Sequence, residues 1–293
     1  MGGWERFREV AEERLPDGRR ALVPVVGAGF NLQAGGGPDW GALIELVAGE
    51  AHAPAIEALD SMTARWEALL RRHAGARDEP AHVVEEALQR DVCRHLRVFE
   101  AEAARRDLYR RFLALGFRDV LSLNFDRTLA LAGGGRRVTG RGSLRRRAES
   151  AGTRVWYPHG DTLRADTLKL GIRQYGRYLE VLGHRFEAMK LASRHAGDDW
   201  HARARTHRDL SWDWLIYTAP VVFLGCSLTA DEWPMWWVLH QRARELARAR
   251  EAPPAFVLTC GEPSHLKGGP ADIVVLEAGT HEEGWERFFE SFS

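Results

Sequence analysis

Ala21-Leu22-Val23-Pro24-Val25-Val26-Gly27-Ala28-Gly29-Phe30-Asn31 is the stretch on which the fold turns. Residues 22–26 form a short, β-branched run without charge, closed by glycine, which is how a buried parallel strand looks. Similar runs recur at 120–123, 155–157, 221–224, 256–259 and 273–276. Helical patterns separate them at 39–50, 56–73, 82–115, 125–131, 231–250 and from 281 onward. Strands alternating with helices predict an α/β fold: a doubly wound, mostly parallel, Rossmann-like sheet with helical insertions. The interval before the second strand is too long for one crossover, so 51–115 reads as a helical insertion beside a domain made of 1–50 and 116–293. A smaller insertion is expected at 167–214, opening with a strand-like 168–172 and then turning helical and charged.

Composition narrows the function classes. The 293 residues carry 41 Lys plus Arg against 41 Asp plus Glu, so overall charge does not indicate nucleic acid or a membrane surface. Cys93, Cys226 and Cys260 are odd in number, far apart and form no Cys-x-x-Cys pair, which excludes a disulfide framework and the common zinc ribbon. Residues 1–19 mix Glu and Arg and lack the apolar centre of a signal peptide. The longest weakly polar stretch, 215–228, contains Pro220 and falls short of the ~20 residues a bilayer span needs. A cytoplasmic protein without membrane contact is expected.

In an open parallel sheet, ligands bind beyond the carboxyl ends of the strands, so the residues just after each strand carry the functional signal. After the first strand come Gly27, Ala28, Gly29, Phe30 and Asn31. Glycines there let the backbone approach a pyrophosphate, although a Gly-x-Gly after a strand equally marks a tight turn, and Leu32 breaks the dehydrogenase fingerprint. Gly35-Gly36-Gly37 then leads to Pro38-Asp39-Trp40 and a helix, with Asp39 placed to cap it. After the second strand come Asn124-Phe125-Asp126, whose polar members also read as helix starters. Pro158-His159-Gly160-Asp161 follows the third strand; a loop histidine is either solvated, backbone-bonded or catalytic. Gly225-Cys226-Ser227-Leu228-Thr229 follows the fourth, and Thr229 and Glu232 have capping-box spacing.

This ordered set resembles the SIR2 (sirtuin-like) family, in its bacterial branch. The resemblance rests on Val25-Val26-Gly27-Ala28-Gly29 with Pro38-Asp39-Trp40, on Leu123-Asn124-Phe125-Asp126, on His159-Gly160, on Tyr175 in Leu-Gly-Ile-Arg-Gln-Tyr, and on Phe223-Leu224-Gly225-Cys226-Ser227-Leu228 with Asp231. It implies an NAD+ site, with NAD+ as substrate. Gly27, Ala28 and Gly29 would hold the pyrophosphate, with Phe30 and Asp39 beside them. Asn124 and Asp126 would lie at the nicotinamide ribose, His159 would act as general base, and Gly225 and Ser227 would receive the adenosine side. The two cysteine pairs of the zinc module in protein-deacylating sirtuins are missing here, so no zinc is expected and plain NAD+ hydrolysis is the expected activity. The zinc-free branch implies an NAD+-depleting role in bacterial anti-phage defence, controlled by a homo-oligomer or a partner protein. The alternatives are a non-catalytic NAD+ or ADP-ribose-binding regulatory or scaffold subunit and, further off, a sirtuin-type deacylase or ADP-ribosyltransferase.

Three features stand apart. Arg136, Arg137, Arg141, Arg145, Arg146 and Arg147 occur with no acid among them and read as a solvated loop, or as a face for an acidic partner or nucleic acid. Trp212, Trp214, Trp233, Trp236 and Trp237 read as core or as a self-association surface. His195, His201 and His207 recur every six residues, which no helix places on one face, so no metal is expected there.

Overall fold

The computed structural model describes residues 2–49, 59, 61–140, 142–196, 211–229, 231–246, 253–261 and 273–293. Their strands form one eight-stranded sheet: β1 (Val23–Val26), β2 (Asp119–Ser122), β3 (Val138–Thr139), β4 (Arg147–Ser150), β5 (Thr153–Trp156), β6 (Val221–Leu224), β7 (Ala255–Cys260) and β8 (Ile273–Ala278). The spatial order is β3-β4-β5-β2-β1-β6-β7-β8. From β5 to β8 every neighbour is parallel, and only β4 runs against its two neighbours. Counted in chain order, the six parallel strands are arranged 3-2-1-4-5-6, which is compatible with a Rossmann-like fold. The chain leaves β1 on one side for β2 and comes back on the other as β6, so a crevice opens at the ends of β1 and β6.

Alternate residues of the same strands enter two apolar clusters. Leu22, Val26, Val120, Val155, Leu224 and Phe256 join one; helices α1 (Gly3–Glu12) and, near the C-terminus, His281–Glu290 pack there. Val23, Val25, Leu121, Trp156, Phe223 and Val257 join the other. Strand residues buried on both faces explain why the runs are uniformly apolar rather than alternating. At the β8 edge, Trp4 Nε1 donates to the Glu277 carbonyl at 2.9 Å, and a Cβ at Gly3 would stand 2.7 Å from the Val275 carbonyl oxygen. The N-terminal helix therefore lies against the outer rim of the sheet.

A third apolar cluster sits over the strand tips. After α2 (Ala28–Gln33), whose Phe30 belongs to the first cluster, it joins α3 (Trp40–Ala48) to α4 (Met62–Arg77) and α5 (Ala81–Ala103): Leu43 and Ile44 meet Trp66, Leu69 and a stripe of Val84, Leu88, Val92 and Leu96, with Phe125 beneath. The four-residue spacing of that stripe keeps one face of α5 turned to the cluster. The expected single helix over 82–115 is in fact two, α5 and α6 (Asp107–Ala114), because Tyr109, Phe112 and Leu113 belong to the sheet face and one straight helix cannot serve both layers.

Other expectations are corrected in the same way. Residues 168–170 form no strand: Leu168 and Leu170 both sink into the cluster over the strand tips, and the Lys169 N–H makes one bond, 3.0 Å, to the His159 carbonyl. After α7 (Thr128–Ala132), the arginine run is not a solvated loop throughout. Arg147 opens β4 and stacks 4.9 Å from the Trp156 ring, and buried Arg146 pairs with Asp161. Its acid lies outside the run, where local charge counting does not look. Helix α8 (Ile172–Ala196) then packs Tyr178, Leu182 and Phe186 on the sheet beside α9 (Trp212–Thr218), and α10 (Trp233–Leu246) follows β6. Trp212 and Trp214 are buried, whereas Trp233 keeps part of its ring in solvent. His201 and His207 lie outside the described residues, as does Arg141. Among the described residues no helix is long and apolar enough to cross a membrane.

Candidate functional site

The loops after β1 and β6 are built against each other. The Gly27 N–H donates to the Leu224 carbonyl at 3.0 Å and the Gly29 N–H to the Gly225 carbonyl at 2.9 Å. A Cβ on Gly27 would sit 2.7 Å from the Gly225 oxygen, and one on Gly29 would sit 2.8 Å from the Gly225 Cα. Gly225 itself has φ +60, and its Cβ would fall 2.4 Å from the Phe30 nitrogen. The glycines thus answer first to each other: they let two strand-end loops touch backbone to backbone. Ala28 opens α2, so its N–H has no preceding helical turn to bond. Phe30 parts company with the other expected site residues. Its ring is buried against Phe112, Trp285 and Tyr109, centroids 4.9, 5.2 and 5.3 Å away, so it supports the loop from below.

At the tip of β2, Asn124 Nδ2 donates to the Gly27 carbonyl at 3.0 Å, fixing the carboxamide across the crevice. Asp126 is buried with both oxygens engaged: Oδ2 accepts from Asn31 Nδ2 at 2.7 Å and Oδ1 from the Thr128 N–H at 3.0 Å, at the start of α7. Asn31 Oδ1 accepts in turn from the Tyr109 hydroxyl at 2.9 Å, and burial pushes that phenol up. Asn31 therefore ties Asp126 to the loop after β1, a role its sequence position gave no sign of. Behind this strand tip, Glu100 accepts from the Arg127 N–H at 2.8 Å and from the Thr162 hydroxyl, and burial holds its carboxyl above the usual glutamate range.

At the tip of β5, His159 is 2 % exposed. Its Nε2 lies 3.0 Å from Glu232 Oε2, and its Nδ1 is buried without a hydrogen-bond partner. Rings of Tyr175, Phe125 and Tyr178 surround it, with centroids at 5.7, 6.4 and 6.5 Å. The Tyr175 hydroxyl is likewise buried and unpartnered, and burial drives its phenol well above the ordinary range.

The segment after β6 supplies two adjacent carboxylates with different tasks. Asp231 does not cap its own helix. It accepts from Ser61 Oγ at 2.6 Å, the Met62 N–H at 2.9 Å and Thr63 Oγ1 at 3.1 Å, and so holds the N-terminus of α4. Glu232 does not close a capping box either: its side chain reaches His159, while its N–H donates to the Thr229 carbonyl at 3.0 Å. Between the glycine junction and these acids, Leu228 is buried with φ +45, a conformation that costs a non-glycine residue about 1–3 kcal/mol.

These strand tips wall one cavity of about 940 Å³. Gly27, Ala28, Gly29, Asn124, Asp126 and His159 all line it. So do Gly225, Ser227 and Asp39, the last also capping α3 by accepting from the Ala42 N–H at 2.8 Å. Glu232 and Tyr175 line the cavity beside His159, as do Thr259 of β7 and Trp285 of the helix His281–Glu290. Cys226 also faces this space, its thiol pushed up by burial, so it is not poised as a nucleophile. Among the described residues no three His, Cys, Asp or Glu side chains group as metal ligands would. Sequence reading gave no site role to Glu232, which lines the cavity, or to Asn31, which holds Asp126; the first was absorbed by its capping spacing, and the second was named only as the end of the glycine loop. No model of a known protein family matches the chain, and no curated protein matches it.

Proposed function

We propose that the protein binds NAD+ in this cavity, on a doubly wound Rossmann-like frame, and hydrolyses the bond between nicotinamide and ribose. The observation that carries the reading is that Asn124 and His159, from different strand tips, line the same cavity of about 940 Å³. That volume suits a dinucleotide, being at the upper end of the range for small-molecule sites, roughly 300–1,000 Å³. Asn124 donates one Nδ2 hydrogen to the Gly27 carbonyl, which orients the carboxamide so that Oδ1 would accept from a ribose hydroxyl. Water is the acceptor: its oxygen bonds to C1′, the C1′–N electron pair leaves with nicotinamide, and the water proton goes to His159. Because the ribose passes through an oxocarbenium-like state, the protein's work is orientation and proton removal, the base contributing on the order of 10²- to 10⁴-fold. The resemblance to the zinc-free bacterial SIR2-like branch supports an NAD+-depleting role in anti-phage defence, with control by self-association or a partner protein.

The test is nicotinamide release from NAD+ by the purified protein, repeated with Asn124→Ala and His159→Ala. Turnover should fall by at least about 100-fold in each; undiminished turnover in both rejects the assignment. A second reading, a subunit that holds NAD+ or ADP-ribose without cutting it, is favoured by one observation: both Asp126 oxygens are already committed to protein donors. Calorimetric NAD+ binding with no nicotinamide formed supports that reading instead.

A further inference from the structure

His159 is held by a carboxylate from a different part of the chain, and that contact decides which of its two nitrogens can do chemistry. An ionised carboxylate only accepts hydrogen bonds, so Nε2, 3.0 Å from Glu232 Oε2, must carry a proton. The opposite nitrogen, Nδ1, is buried and has no partner. A proton there would be an unsatisfied buried donor among the rings of Phe125, Tyr175 and Tyr178. We infer that Glu232 is a positioning residue: it locks the imidazole as the Nε2–H tautomer and leaves the Nδ1 lone pair as the acceptor for the proton released in the reaction.

For its chemical consequence this assignment rests on the NAD+ hydrolysis reading. The proton of the attacking water goes to Nδ1, the water oxygen joins C1′, and the bonding pair leaves on nicotinamide. The imidazolium so formed is stabilised by Glu232 on its other side, the logic by which a buried carboxylate orients a catalytic histidine elsewhere. The hydroxyl of Tyr175, whose ring centroid lies 5.7 Å from that of His159, is also buried without a partner and is a second group that an entering hydroxyl could satisfy. Two buried polar atoms without partners on adjacent rings are a cost that a bound hydroxyl or water removes.

The tautomer is read without any substrate. Protein labelled with ¹⁵N in its histidine rings is examined at pH 8, and the His159 signals are identified by their loss in His159→Gln. A pyrrole-type Nε2 and a pyridine-type Nδ1 are expected; a protonated Nδ1, in either the neutral or the charged ring, overturns the assignment whether or not NAD+ is cleaved. In Glu232→Ala the single-tautomer signature should give way to a mixture. With NAD+, kcat should then drop on the order of 10²-fold or more while KM changes only a few-fold. If Glu232→Ala instead cleaves NAD+ faster than the parent, Glu232 is a plug occupying the ribose position and the proposal is wrong. Absence of cleavage by the parent protein, with the predicted tautomer intact, would count against the hydrolysis reading and not against the role of Glu232.

Discussion

Replacing Gly225 by alanine probes the junction on which the cavity is built. Two costs add. The residue sits at φ +60, where a side chain is strained by roughly 1–2 kcal/mol. The new Cβ also lands 2.4 Å from the Phe30 nitrogen and 2.6 Å from the Gly29 carbonyl carbon, both backbone atoms that cannot rotate aside. Overpacking of that kind costs about 1–3 kcal/mol, so Gly225→Ala should lose about 2–5 kcal/mol. Gly116→Ala separates the terms: its φ is +79 but nothing lies within 4 Å, so only the strain remains. The entropy that alanine removes from the unfolded chain is common to both variants and cancels in their difference. Urea unfolding at equal m should place Gly225→Ala about 1–3 kcal/mol below Gly116→Ala, a further loss of roughly 2–10 °C in Tm for a chain of this size. If the two variants agree within about 0.5 kcal/mol, the loops do not meet as described and the cavity floor is wrong.

Asp231→Ala strips the N-terminus of α4 of its acceptor and should cost about 2–3 kcal/mol, seen as a lower Tm; a change under about 2 °C would show that the clamp carries no load. Glu100 gives a pH dependence of definite sign. Its folded-state value lies above the ordinary 4.5, so the native state holds the proton more tightly and stability falls as pH rises from about 4.5 through the raised value. Glu100→Gln should flatten that fall, and urea midpoints measured between pH 4.5 and neutrality should show the variant gaining on the parent; parallel curves would contradict the burial argument.

The parallel strands were legible because each carries a short apolar run, and 22–26 differs from β1 by one residue; the charges they contain, Asp119 in β2, Arg154 in β5 and Glu277 in β8, stand outside those runs. The strand-tip residues followed, since in such a sheet they must face the crevice. What escaped reading has physical causes. Glu232 and His159 are 73 residues apart, and nothing local distinguishes a carboxylate that caps a helix from one that holds an imidazole. Asp231 likewise finds its donors near residue 61, on the far side of the sequence. The β3–β4 hairpin hid among arginines because β4 turns only Ala148 and Ser150 inward, too little apolar surface to signal a strand. In α1, Trp4, Phe7, Val10 and Ala11 follow helical spacing, but the charged residues interleaved with them mask that periodicity.

The helix along the β8 rim has a consequence for assembly. Exposed sheet borders are where copies of a chain add strand to strand. Here the outward carbonyls of Val275 and Glu277 are screened by Gly3 and Trp4, and Arg287 also donates to Glu277. The opposite border is β3, only Val138–Thr139 long and preceded by exposed Arg136 and Arg137, so it offers a short template guarded by like charge. Among the described residues neither margin offers a long open strand, which favours joining copies through helices or loops and leaves the crevice at the strand ends clear of sheet-to-sheet tiling.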